Sequence, residues 1–205
     1  MTPWLRNALG GATLLLLVVL PLGVFIARAR TKVSVGLYWV VLYPAWYLST
    51  TVLHEGSHLL VNVLCGVKVT GVRLVPRFWK GDFSNAFVET GPWSPLQAVL
   101  GSTAPYWLGL LSVGCGLLLL RRMKGRPLLL ASLVLTVFCL RPLADLVNNY
   151  LAALFLRFGD FATAAHAVGF PLMHGLALGC LGLTALGCFR AVFGTMPQSP
   201  PREPT

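Results

Sequence analysis

Acidic residues are nearly missing from this chain, which has six Asp and Glu in 205 residues against 16 Lys and Arg. Charged residues of all kinds make up 11%, where soluble domains average about 25%. With so few solvating groups and 56% hydrophobic residues, an ordinary soluble globular protein is excluded. A disordered chain is excluded too, because the mean hydropathy is +0.75 and disorder requires little apolar surface. Long polar stretches are also lacking. The longest, Gly66 to Pro92, holds roughly 27 residues, too few for an accessory domain, since domains begin at about 50. The five cysteines (65, 115, 139, 180 and 188) form no C-x-x-C pair and no disulfide-like spacing, so they read as small, reduced, packed residues.

The formal charge of +10 comes from cations placed between apolar blocks. That pattern fits orientation in an anionic bilayer and not nucleic-acid binding.

Five apolar blocks, 8–27, 35–65, 95–120, 127–156 and 170–190, each approach or exceed the roughly 20 residues that cross a bilayer as a helix. The first competes with a secretory signal peptide ending at Ala27-Arg28-Ala29. Its apolar core is longer than the about 7–15 residues of such signals, which favours an anchor. In the second block Glu55 is the one charged residue, and Pro44 is a point for a kink. The fourth, as one helix, would reach about 45 Å. It therefore tilts, extends beyond the hydrocarbon or breaks at Arg141-Pro142. In the fifth, Gly175, Gly179 and Gly187 fall at multiples of four and predict close helix packing. Between the second and third blocks, Val67 to Leu74 and Ala86 to Glu89 alternate apolar and polar around Lys80-Gly81-Asp82, which predicts a β-hairpin within 66–92. The expected fold is an all-α multi-pass membrane protein. It has about five transmembrane helices and a small β-hairpin after the second, in one domain over 1–195, with a proline-rich disordered tail over 196–205.

Chemistry concentrates in the second block, where His54-Glu55-Gly56-Ser57-His58 forms H-E-x-x-H. With four histidines and so few glutamates, chance predicts on the order of 0.001 such matches. On a helix, positions i and i+4 share a face, so both imidazoles reach one metal, and Glu55 lies about 100° round, beside its open position. An ionisable residue at membrane depth persists mainly where it works or is paired. Two other readings compete. In one the histidines hydrogen-bond between helices, with Glu55 a protonated packing residue. In the other, His54 or His58 joins His166 or His174 to hold a haem, which leaves Glu55 without a role.

A catalytic zinc, one per chain, takes three protein ligands. Asp145, the acid within the fourth block, is the preferred third, because so deep a carboxylate requires a cation. Asp160, His166 and His174 are the others available, and Arg141 competes for Asp145 as an i,i+4 ion pair. Asn148 and Asn149 are placed to orient that carboxylate or to bind substrate backbone.

The H-E-x-x-H helix, the following Cys65-Gly66-Val67-Lys68-Val69 and the later Pro142-Leu143-Ala144-Asp145 together resemble the site-2 protease family of intramembrane zinc metalloproteases, over roughly residues 45–160. The resemblance implies a zinc-dependent endopeptidase acting on membrane-protein substrates with a transmembrane segment. It implies His54, His58 and Asp145 as ligands and Glu55 as the base. The chain departs from the family's N-P-x-x-D-G pattern in having Arg141 before the proline and Leu146 after the aspartate, and Gly101 to Pro105 is only loosely similar to its G-P-x-x-N stretch.

Overall fold

The computed structural model describes residues 8, 11–29, 35–76, 86–123 and 126–194. The elements run α1 (Gly11–Arg28), α2 (Val35–Leu64), β1 (Val69–Arg73), β2 (Phe87–Thr90), α3 (Pro95–Arg122), α4 (Leu128–Leu156), α5 (Asp160–Val168) and α6 (Phe170–Gly194). Of these, α1, α3, α4 and α6 are long and apolar enough to cross a membrane. Helix α2 is as long as they are, and from Ser49 onward it carries Ser49, Thr50, Thr51, His54, Glu55, Ser57, His58 and Asn62 among its apolar residues. Large side chains on the outer faces, such as Leu111 and Leu118 of α3 and Leu183 and Phe189 of α6, are exposed. Water would penalise such faces, whereas hydrocarbon accepts them.

Helix α3 lies at the centre, in contact with α2, α4, α5 and α6. Its start is fixed by a capping box in which Ser94 and Gln97 satisfy each other's backbone N–H groups. The Gln97 amide also donates to the Cys65 carbonyl at 3.0 Å, tying this start to the end of α2. That end is a Schellman motif, with Gly66 at φ +69°, Val67 N–H bonded to Asn62 O and Gly66 N–H to Val63 O. The chain then enters β1, which pairs antiparallel with β2, with a bulge between Val69 and Gly71. Both expected strands thus form, with Val72 of β1 on the exposed side. The predicted turn at Lys80-Gly81-Asp82 and the tail lie outside the described residues.

Of the three glycines expected at close helix contacts, Gly187 makes one and Gly175 and Gly179 do not. Around Gly175 and Gly179 nothing lies within 4 Å of where a Cβ would be, because Met173, Ala177, Cys180 and Thr184 form the buried face of α6. Gly187 does meet a neighbour, Val113 of α3. The tight seam runs along α3, where a Cβ on Gly109 would sit 3.2 Å from Pro142 and one on Gly116 would sit 2.7 Å from the Cys139 sulfur. Cys139, Cys180 and Cys188 are buried and Cys115 faces outward; all five thiols are free.

Helix α4 does not break at Arg141-Pro142. It runs through a π-helical turn, Leu135–Leu140, and continues as α-helix from Arg141. Pro142 brings no N–H to Phe138 O, its α-helical acceptor, or to Val137 O, its π-helical one. Side chains meet both carbonyls: Ser112 Oγ donates to Phe138 O at 3.2 Å, and Arg141 Nε to Val137 O at 3.2 Å. Arg141, 3% exposed, makes no ion pair with Asp145 among the described residues. Ser112→Ala is expected to cost about 1 kcal/mol in denaturation measured in detergent. In a Pro142→Ala background, where residue 142 regains its N–H, the cost should shrink toward zero. An equal cost in both backgrounds would show that the hydroxyl stabilises something else.

Candidate metal centre

His54 and His58 lie one turn apart on α2, with ring centroids 4.9 Å apart and planes at 78°. Each ring is held through Nδ1. The Nδ1 of His54 faces Asp145 Oδ2 at 2.8 Å, and the Nδ1 of His58 faces the backbone oxygen of Gly101 at 2.7 Å. A carbonyl only accepts, as does an ionised carboxylate, so both Nδ1 atoms carry hydrogen, and in the neutral rings both Nε2 atoms present lone pairs. Those Nε2 atoms face each other at 3.2 Å.

A third group closes the triangle. Asp160 places Oδ2 3.3 Å from His54 Nε2 and Oδ1 3.5 Å from His58 Nε2, and the three ligand atoms lie within 4.8 Å of one another. Ligands at about 2.0 Å from a tetrahedral zinc lie about 3.3 Å apart; the Nε2–Nε2 edge and the two carboxylate edges, one to each oxygen of Asp160, are close to that spacing. Two lone pairs and a carboxylate converging in a partly buried site repel one another unless a proton or a metal sits among them.

Asp160 is delivered by a sharp reversal after α4. Arg157 has φ +55° and Gly159 φ +95°, and α5 starts at once with Asp160 in its first turn. At Gly159 the positive φ and a would-be Cβ 3.0 Å from Asn149 Oδ1 both require glycine. The Tyr106 hydroxyl donates to Asp160 Oδ2 at 2.7 Å, and Tyr106 stacks on Phe161 with centroids 4.3 Å apart. Helix α5 is therefore docked against α3 at the ligand and at the residue that follows it.

The expected third ligand, Asp145, is placed behind His54, not beside the Nε2 atoms. The cation its depth demanded is replaced by the imidazole N–H and by Asn149 Nδ2, which donates to Asp145 Oδ1 at 3.4 Å. Asn149 thus orients a carboxylate, while Asn148 points outward. Asp160 ranked below Asp145 in the sequence because it follows the apolar block; the Gly159-Asp160 dipeptide was the signal for a turn back. Glu55 is half-buried, lies within electrostatic reach of both histidines and both aspartates, and has no hydrogen-bond partner among the described residues. His166 and His174 do not join the cluster: His166 lies edge-on to Phe170 and His174 Nδ1 pairs with the Tyr150 hydroxyl at 3.0 Å.

No protein-family model, curated protein or solved structure matches this chain.

Proposed function

We propose that this protein is a zinc-dependent intramembrane endopeptidase, multi-pass, with α2 as a fifth membrane element that carries the site. The observation that carries the reading is the convergence of the two Nε2 atoms and the Asp160 carboxylate within 4.8 Å of one another, next to Glu55, whose carboxylate has no hydrogen-bond partner among the described residues. His54, His58 and Asp160 are the metal ligands, and Asp145, Asn149 and the Gly101 carbonyl hold the rings in the tautomer that exposes Nε2. When bound, zinc supplies Lewis acidity for a peptide carbonyl. Glu55 takes the proton of the attacking water and passes it to the leaving amine.

The substrate is a membrane protein with a transmembrane segment. A helix hides its backbone, so the segment must unwind before hydrolysis. Among the described residues the β1–β2 sheet has two strands, and each offers an outer edge to which an extended segment can add.

Metal analysis with a cleavage assay tests the reading. Purified protein is expected to hold about one zinc per chain. A chelator should abolish cleavage of a co-reconstituted transmembrane substrate, and added zinc should restore it. Protein without bound metal would overturn the proposal. Stoichiometric zinc without turnover would mark instead a binding protein of the same architecture.

A further inference from the structure

We propose that Pro105 is a positioning residue for the metal site: it denies the Gly101 carbonyl its helical partner and so leaves that oxygen to fix the ring of His58. The inference rests on the metal-site reading for its purpose, not for the contact itself.

Within an α-helix the N–H of residue 105 bonds to the oxygen of residue 101. Helix α3 is continuous from Pro95 to Arg122 with Pro105 inside it, so this bond is missing. The pyrrolidine ring also crowds the carbonyl four residues back and tilts it away from the helix axis. In an apolar interior an oxygen left this way is costly unless another donor arrives. Here the donor is the Nδ1–H of His58, at 2.7 Å.

Residue 101 allows the approach because it has no side chain. A Cβ there would lie 2.8 Å from Asn62 Oδ1, and Asn62, one turn beyond His58 on the same face of α2, is 1% exposed. The same chemistry appears at Pro142, where Ser112 and Arg141 meet the carbonyls that proline cannot engage. At Pro105 the incoming donor is a ligand ring, so a helix irregularity sets a tautomer. The two rings are thereby fixed by unlike acceptors, His54 by a carboxylate and His58 by a neutral carbonyl.

The experiment is nitrogen NMR of histidine-labelled, metal-free protein in micelles, paired with zinc affinity. In the unaltered protein His58 is expected as the Nδ1–H tautomer. Pro105→Ala and Pro105→Leu both return an N–H and favour the helix. Either should shift His58 toward the Nε2–H form and weaken zinc binding about 10-fold. Pro44→Ala, which removes a proline from α2 away from the site, should change neither quantity. An Nε2–H His58 in the unaltered protein, or an unchanged tautomer in the folded Pro105 variants, would overturn the proposal. If the unaltered protein binds no zinc yet the tautomer shifts as described, the positioning role stands and the peptidase reading falls.

Discussion

Glu55→Gln is expected to lower the rate of substrate cleavage by about 10²–10⁴-fold, the contribution of a positioned general base, with zinc content unchanged. Glutamine keeps the size of the side chain and its hydrogen bonding but takes no proton from water. The separation of the two readouts follows from geometry, since Glu55 sits beside the histidine face without forming part of it: the converging atoms belong to His54, His58 and Asp160. Cleavage is measured on a reconstituted substrate and metal by elemental analysis of the same preparation. Full activity in this variant would exclude Glu55 as the proton carrier. Loss of zinc together with activity would instead give it a ligand's role.

The second large effect distinguishes the two aspartates. Asp160→Ala removes one of the three proposed ligands and is expected to leave the purified protein essentially without zinc. Asp145→Ala removes the acceptor behind His54 and should weaken affinity by about 10–100-fold, so that zinc is retained when supplied in excess. Titration of both variants with zinc reads the difference directly. The reverse result, with Asp145→Ala empty and Asp160→Ala loaded, would make Asp145 the ligand, as the resemblance to site-2 proteases implies. The distances oppose that order: Asp145 meets His54 at Nδ1, on the other side of the ring from the Nε2 that faces Asp160.

The long helices were legible in the sequence because membrane thickness constrains length and composition together. The blocks at 35–65, 95–120 and 127–156 lie within a few residues of α2, α3 and α4. The paired histidines were legible because helical periodicity needs no tertiary knowledge. The path after Leu156 was not. Arg157 takes a left-handed conformation that arginine does not advertise, and nine residues of α5, a helix too short to stand out by periodicity, fold back against α3. Depth favours Asp145 over Asp160 along the sequence, since Asp160 follows the apolar block, but the turn after Leu156 brings Asp160 back to the two histidines. The acceptor for His58 was hidden for another reason, since a backbone oxygen has no letter. Its trace is the proline four residues after Gly101.

The leucines on the outer faces of α3 and α6 carry a consequence for encounter with substrate. As the proposed peptidase, a molecule clad in this way would meet its substrates by lateral diffusion within a sheet of lipid, where the governing quantity is molecules per unit area and not per unit volume. Diluting the vesicles would leave such encounters unchanged, while enriching them in inert lipid would make them rarer.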